Sequence, residues 1–357
     1  MKPPVYDSTA KTRPRDIARC HDLHVSHADF DSIPVIDLPA AASDGAAKQA
    51  AAEAIRAACI DIGFFYVARH GVPREVVAGA RRQAERFFDL SADAKLRYDI
   101  NAIKRHRGYV PIGSLSADPT LVDVQEGFEI GLELPGDDPD HLAGNPLYGP
   151  NVWPGEIPEF ERDVYRYFEE ILALGHRMFD LFALGLGLPE GYFEPYVTKP
   201  MAQLRLIHYP ATRAAIDPEK AMGIGPHTDY EPFTILWQDR PGLQVQNRRG
   251  EWVEAPPIDG TFVVNIGDML QRWTNDLFVS TPHRVITASG QRRFSFAMFL
   301  GTNHDSIVEC LETCTDPEHP PRYPPTHAGL WTENMHSYAY AYRWQDRGKL
   351  PDAELSA

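Results

Sequence analysis

His227 and Asp229, in the run His227-Thr228-Asp229, can aim an imidazole and a carboxylate at one point, because side chains i and i+2 of a strand share a face. A third histidine, His283, opens a β-favouring run farther along the chain. Two histidines and a carboxylate on one octahedral face suit a mononuclear iron(II) site, with three positions left open for a cosubstrate and O2. Beyond His283, Arg293-Phe294-Ser295 is a second i, i+2 pair. A guanidinium fork fits a carboxylate and the hydroxyl adds a donor. A pocket with iron at one end and Arg293 and Ser295 at the other therefore suits a dicarboxylic 2-oxo acid. Its 2-oxo-carboxylate end would lie on the metal and its far carboxylate on Arg293.

The H-x-D spacing is weak by itself. His27-Ala28-Asp29 repeats it in a polar, aperiodic stretch with no strand pattern, and a chain with 14 histidines is expected to yield such a match by chance. His227-Thr228-Asp229 stands apart through the company of His283, Arg293 and Ser295. A zinc site from His304, Cys310, Cys314 and His319 has none of the standard finger spacings. There is no G-x-S-x-G elbow and no phosphate-binding G-x-x-x-x-G-K-[ST] loop. The glycines around Gly185 and Gly187 fail the dinucleotide fingerprint, because Pro189 interrupts the helix that should follow. Hydrolase, nucleotide-binding and dehydrogenase readings fall.

The elements that must position these residues change in texture along the chain. Residues 1–31 read as a polar arm. Ile33 to Leu38 is a short strand pattern, 47–62 an alanine-rich helix, and Gly63-Phe64-Phe65-Tyr66-Val67 an aromatic strand. A helix follows Pro73, residues 100–155 read as loop-rich and irregular, and 156–186 form a long helix. Its apolar stripe is Val164, Phe168, Ile171, Leu172, Met178, Phe179 and Phe182. After Pro200, short β-rich runs alternate with turns, as in a sandwich or barrel, and a final helix spans about Thr326 to Trp344. The expected fold is α+β or mainly β, with helices packed around an antiparallel core.

Composition limits the partners. The 357 residues carry a net charge of −15, which repels phosphate backbones and anionic membranes. No apolar run approaches the length of a spanning helix, and the N-terminus lacks the apolar core of a signal peptide. The four cysteines (Cys20, Cys59, Cys310, Cys314) are too few and scattered for a disulfide framework. A cytoplasmic protein with reduced thiols, a small-molecule substrate and no nucleic-acid or membrane partner is the expectation; the oligomeric state is open.

From about Ile33 to Tyr342 the chain resembles the iron(II)- and 2-oxoglutarate-dependent dioxygenases of the isopenicillin N synthase-like group. The family order of H-x-D, a distant H and then R-x-S is matched by His227, Asp229, His283, Arg293 and Ser295. Further matches are Ile33 to Leu38, Gly63 to Val67, His70-Gly71-Val72-Pro73, Asn265-Ile266-Gly267-Asp268 and Ser280 to Val285. The resemblance implies a double-stranded β-helix (jelly roll) flanked by helices. It implies iron(II) held by His227, Asp229 and His283, with 2-oxoglutarate and O2 as cosubstrates. Many plant members carry N-x-Y before the H-x-D strand, the Tyr touching the 2-oxoglutarate carboxylate; here Tyr209 matches and Ile207 replaces the Asn. The region 32–199 is then a helical-rich N-terminal part, 200–305 the jelly-roll core with the iron and 2-oxoglutarate site, and 306–357 a C-terminal helical extension.

The implied activity is oxidation, by default hydroxylation, of a small organic metabolite with release of succinate and CO2. Two branches of the family use iron and O2 without 2-oxoglutarate, as isopenicillin N synthase does. Both keep R-x-S, so that alternative stays open until coupled succinate release is measured. A non-catalytic scaffold would be favoured by loss of an iron ligand, and all three are present. For the substrate pocket the resemblance points to the loops and helices at the open end of the barrel. The candidates are Arg107-Gly108-Tyr109, the stretch near Phe128, the C-terminal helix, Arg205, which sits two pleats from Tyr209, and the strand residues Tyr230, Trp237 and Phe299.

Overall fold

The computed structural model describes residues 33–40, 45–115, 122–211, 221–287, 290–346 and 348–355. The arm 1–31, with Cys20, His27 and Asp29, lies outside them. Among the described residues no helix is long and apolar enough to cross a membrane.

The first strands are β1 (Val35–Asp37), β2 (Phe64–Ala68), β3 (Gly108–Val110), β4 (Val122–Asp123) and β5 (Glu126–Gly131). The later ones that frame the site are β6 (Gln203–Tyr209), β7 (Ala221–Met222), β8 (Ile224–His227), β9 (Phe233–Gln238), β10 (Leu243–Gln246), β11 (Trp252–Glu254), β12 (Phe262–Ile266), β13 (His283–Val285) and β14 (Arg293–Leu300). An eight-stranded sheet has the order β1-β2-β12-β9-β14-β6-β5-β3 and a four-stranded sheet the order β11-β10-β13-β8. The two face each other as the jelly roll, with Phe64, Ile207, Tyr209, Val263 and Ala297 of the large sheet packed with Leu243, Val245 and Val285 of the small one.

Register decides which side chains enter the space between the sheets. On β14 and β6 the opposed pairs are Arg293 with Tyr209, Ser295 with Ile207, Ala297 with Arg205 and Phe299 with Gln203. On β14 and β9, Ser295 faces Gln238, Ala297 faces Leu236 and Phe299 faces Thr234. Directly opposed residues share a face and successive ones alternate. The intervening Phe294, Phe296 and Met298 therefore point outward, beneath the helices α1 (Gly45–Asp61), α2 (Arg74–Phe88) and α3 (Phe160–Gly185). The apolar stripe of α3 is buried as its spacing predicts, with Leu172 only partly so. Tyr167 of α3 meets Phe296 edge-on at 5.6 Å, and Phe182 meets Phe233 at 5.0 Å.

The same alternation removes three residues expected at the pocket. Phe128 opposes Leu206, so it points outward and packs on Phe87 and Phe160, at 4.6 and 5.1 Å between ring centres. Tyr109 opposes Phe128, shares that face and donates to Glu126 at 2.6 Å. Trp237 opposes Phe296 and lies 4.8 Å from it, outside the barrel.

Residues 100–155 are also more regular than expected. β5 bears two carboxylates and two glycines, poor strand formers. It forms because β6 supplies the ladder and the acids find partners. Glu126 takes Lys95 at 2.7 Å and His208 at 2.8 Å, and Glu129 takes Arg205 at 2.7 Å and Gln203 at 2.6 Å. Four of the eight strands, β1, β2, β3 and β5, come from before residue 200. The boundary at 200 thus marks a change of sequence texture and does not divide the sheet. The C-terminal helix α4 (Ala328–Ala339) brings His336, Ala339 and the following Tyr340 to the wall of the cavity.

If Phe128 is a packing residue, Phe128→Ala should cost about 3–5 kcal/mol of stability in denaturant unfolding. A substrate-contacting Phe128 would instead leave the unfolding midpoint unchanged.

Candidate metal and cosubstrate site

His227 is the last residue of β8, and Asp229 lies just beyond the strand, so the shared point does not come from strand alternation. It comes from a tight turn: the Asp268 N–H donates to the Asp229 carbonyl at 2.8 Å, and the Thr228 hydroxyl donates to the Asp268 carboxylate at 3.1 Å. His283 reaches the turn because β13 pairs with β8, placing it opposite His227. The ligand atoms of His227, Asp229 and His283 lie within 4.8 Å of one another, the one such group of three among the described residues.

Each group presents the correct atom. Nδ1 of His227 bonds the Gly225 carbonyl at 2.9 Å and Nδ1 of His283 bonds the Thr281 carbonyl at 3.1 Å. Those bonds put the ring proton on Nδ1 and leave the Nε2 lone pair free to ligate. Both Nε2 atoms stand 3.7 Å from Asp229 Oδ1. Burial, with His283 beside it, holds His227 down to about 4, so the imidazole is neutral near pH 7. Burial alone would raise Asp229, but His283, His227, Thr234 and Asn265 outweigh it and keep the carboxyl below its ordinary value. Thr234 donates to Oδ2 at 2.5 Å and Asn265 at 2.7 Å. One carboxylate oxygen is thus occupied and the other faces the histidines. This donor set of two imidazole nitrogens and one carboxylate oxygen fits a divalent iron.

Arg293 stands at the end of the cavity beside Tyr209. It is 2 % exposed, and its guanidinium donates to the Arg240 carbonyl at 3.1 Å, Ser295 at 3.2 Å and Gln238 at 2.7 Å. It lies 4.7 Å over the Tyr209 ring, and Ser295 donates to the Tyr209 hydroxyl at 3.4 Å. No carboxylate among the described residues pairs with it. A buried guanidinium without a counter-charge is costly, and a bound dicarboxylate supplies one.

Arg205, Tyr230 and Phe299 line the same cavity, as expected. So do Gln203 and Glu231, which no expectation named, and His336 and Tyr340 of the C-terminal segment expected at the pocket. Gln203 was legible, since it continues the alternation Tyr209, Ile207, Arg205. Asn265 was noticed only as part of a motif. Glu129 approaches from a distant segment and leaves no local signal; His336 and Tyr340 lie in the C-terminal segment expected at the pocket, with no local pattern that singles them out. Glu129 accepts from Gln203, Arg205 and Tyr340, and Arg205 donates to the Tyr340 hydroxyl at 2.6 Å. Burial and the neighbouring Asp229 push Glu231 up to about 7.

Asn265 and Thr234 hold Oδ2 of Asp229 and leave Oδ1 toward His227 and His283. Asn265→Ala, or the near-isosteric Thr234→Val, should weaken divalent-metal binding about 10–100-fold. Anaerobic calorimetric titration with iron(II) or manganese(II) reads this, and unchanged affinity would show that neither bond matters.

Residues 33–156 match the family profile described as non-haem dioxygenase in morphine synthesis N-terminal, and residues 200–302 match that of the 2OG-Fe(II) oxygenase superfamily. A 2-oxoglutarate-Fe(II) type oxidoreductase of Emericella nidulans is 35% identical over 314 residues, covering 86% of this chain and 89% of that one. The homoarginine-6-hydroxylase of Arabidopsis thaliana is 36% identical over 302 residues, covering 80% and 89%. A Neurospora crassa protein solved in complex with alpha-KG and thymine superposes with a TM-score of 0.76 at 31% identity, covering 86% of this chain and 97% of that one. With the ligand set, the counter-charge site and the jelly roll in agreement, the chain belongs to the 2OG-Fe(II) oxygenase superfamily, as an oxidoreductase that uses iron(II) and 2-oxoglutarate to oxidise a small substrate.

Proposed function

We propose that His227, Asp229 and His283 hold the iron, and that Arg293, aided by Ser295 and Tyr209, takes the far carboxylate of 2-oxoglutarate. The observation that carries this is the buried guanidinium without a carboxylate, in the same cavity as the ligand set. When bound, iron(II) and 2-oxoglutarate supply the activation of O2 and the oxidation of a C–H bond, with succinate and CO2 released. The chain's own residues bind, orient and exclude water. Arg293 neutralises the far carboxylate, Tyr209 and Ser295 fix its position, and Ile207, Leu243 and Val285 form apolar walls of the same cavity.

The prime substrate occupies the part lined by Arg205, Tyr230 and Phe299 and is hydroxylated by default. The cavity lies between the two sheets and joins apolar walls to a few polar groups, which suits a small molecule. The Neurospora crassa complex with thymine supports the same scale. The net charge of −15 argues against a nucleic-acid polymer. Cys59, Cys310 and Cys314 are free thiols, which supports a reducing compartment such as the cytoplasm.

Anaerobic loading with iron(II) and 2-oxoglutarate, then O2 and a small-molecule panel, should give succinate above the uncoupled background. Oxidation of a panel compound without any succinate would favour the oxidase alternative. His227→Ala should abolish turnover. Losing a buried charge-assisted pair costs about 2–5 kcal/mol, so Arg293→Leu should raise the apparent 2-oxoglutarate constant by more than about tenfold. An unchanged constant would place the far carboxylate elsewhere.

A further inference from the structure

Two arginines line the cavity, and the residues that hold them differ in charge. Arg205 Nε donates at 2.7 Å to Glu129, whose side chain is fully buried, so this guanidinium has its counter-charge within the protein. Arg293 is anchored as closely, with Nη2 donating at 2.7 Å to Oε1 of Gln238. That partner is an uncharged amide. The other acceptors of Arg293, the Arg240 carbonyl and the Ser295 hydroxyl, are uncharged too. Gln238 is buried opposite Ser295 on the β9–β14 ladder and is not among the residues that line the cavity, so it acts there only through Arg293. Its orientation is fixed from behind. Nε2 donates to the Ala255 carbonyl at 2.7 Å, and turning the amide over would set its oxygen against that carbonyl. Ala255 is itself fully buried, and its N–H donates to the Leu243 carbonyl at 2.8 Å. The turn after β9 supplies the Arg240 carbonyl, and it closes there because residue 242 is glycine: at its φ of +138°, a Cβ would lie 2.4 Å from the Ile286 carbonyl oxygen.

An amide oxygen satisfies an N–H donor and leaves the charge behind it uncancelled. A carboxylate in the same place would satisfy the donor and cancel the charge, and a ligand carboxylate would then meet a like charge. Resting on the reading that Arg293 takes the far carboxylate of 2-oxoglutarate, we propose that Gln238 is the positioning residue that fixes the Arg293 fork while keeping its charge for the cosubstrate. The residue at 238 must therefore be an acceptor and must be neutral. Glu129 does the opposite for Arg205, so of the two arginines in the cavity only Arg293 is left to bind a dicarboxylate by its charge. Both requirements act on the far carboxylate alone, because Gln238 reaches the ligand only through Arg293.

The test uses the full chain, anaerobic and loaded with manganese(II), titrated calorimetrically with 2-oxoglutarate and with 2-oxopentanoate. The second acid carries a methyl group in place of the far carboxylate, so the ratio of the two affinities reads that carboxylate alone. The wild-type ratio is expected to be about tenfold or more. Gln238→Glu, nearly isosteric and still an acceptor, should bring the ratio to about one. Gln238→Leu, which frees the fork without adding a charge, should lower it by a smaller factor, about threefold. Both variants should bind manganese(II) and 2-oxopentanoate as the wild type does, which also shows that they are folded. If Gln238→Glu binds no manganese(II), the Gln238→Leu ratio decides. A merely structural Gln238 would weaken both acids together, or leave Gln238→Glu like the wild type. Either result overturns the proposal, as does a ratio that falls further in Gln238→Leu than in Gln238→Glu. Arg293→Leu separates this failure from failure of the parent reading. A wild-type ratio near one, or a ratio that Arg293→Leu leaves intact, overturns both; a ratio lost in Arg293→Leu and intact in the Gln238 variants overturns this proposal alone.

Discussion

The two-residue repeat of the large sheet is the constraint on which the rest of the molecule depends. Along β14, Arg293, Ser295, Ala297 and Phe299 point into the barrel, while Phe294, Phe296 and Met298 point under the helices. A slip of one residue would put Arg293 among the rings of α3 and the phenylalanines into the cavity. The register is held from both sides, by β6 and by β9. The helices matter to the site through this same parity. By burying the outward phenylalanines they fix which residues are left to face inward.

The inward face then has to carry charge in a space with little water. Charges needed only for position are matched within the protein. Glu129 spends its two oxygens on Gln203, Arg205 and Tyr340, and Asp229 spends one oxygen on Thr234 and Asn265. Arg293 is left without a counter-charge in the cavity. Removing one partner from a buried pair costs far more than an exposed pair is worth, so such open groups are retained where a ligand completes them. The same economy of space acts on the backbone. A Cβ on Gly267 would sit 2.1 Å from the Glu231 carbonyl oxygen, so the end of β12 can close on the turn that carries Asp229 only without a side chain.

Much of this was legible in the sequence, because much of it is local or periodic. Strand alternation placed Arg293 beside Ser295 and predicted that Arg205 shares the pocket face with Tyr209. The helical period gave the buried stripe of the long helix. The grouping of His227, Asp229, His283, Arg293 and Ser295 identified the chemistry, since few other reactions need those types in that order. Local patterns failed where side chains face distant partners. β5 was missed because its glutamates and glycines disfavour a strand until β6 and the buried cations are present. Tyr109, Phe128 and Trp237 were placed by proximity to the site and not by parity, which depends on a register that one strand cannot declare. Asp229 was read as a strand residue, whereas a turn held by Asp268 positions it. Glu129, Glu231, His336 and Tyr340 come from separate segments and meet only when the sheets close and α4 reaches the cavity wall. Residue types and their periods determined the fold class and the reaction. The tertiary structure alone decided which polar groups face each other across the cavity, because that depends on long-range pairing that no short stretch of sequence contains.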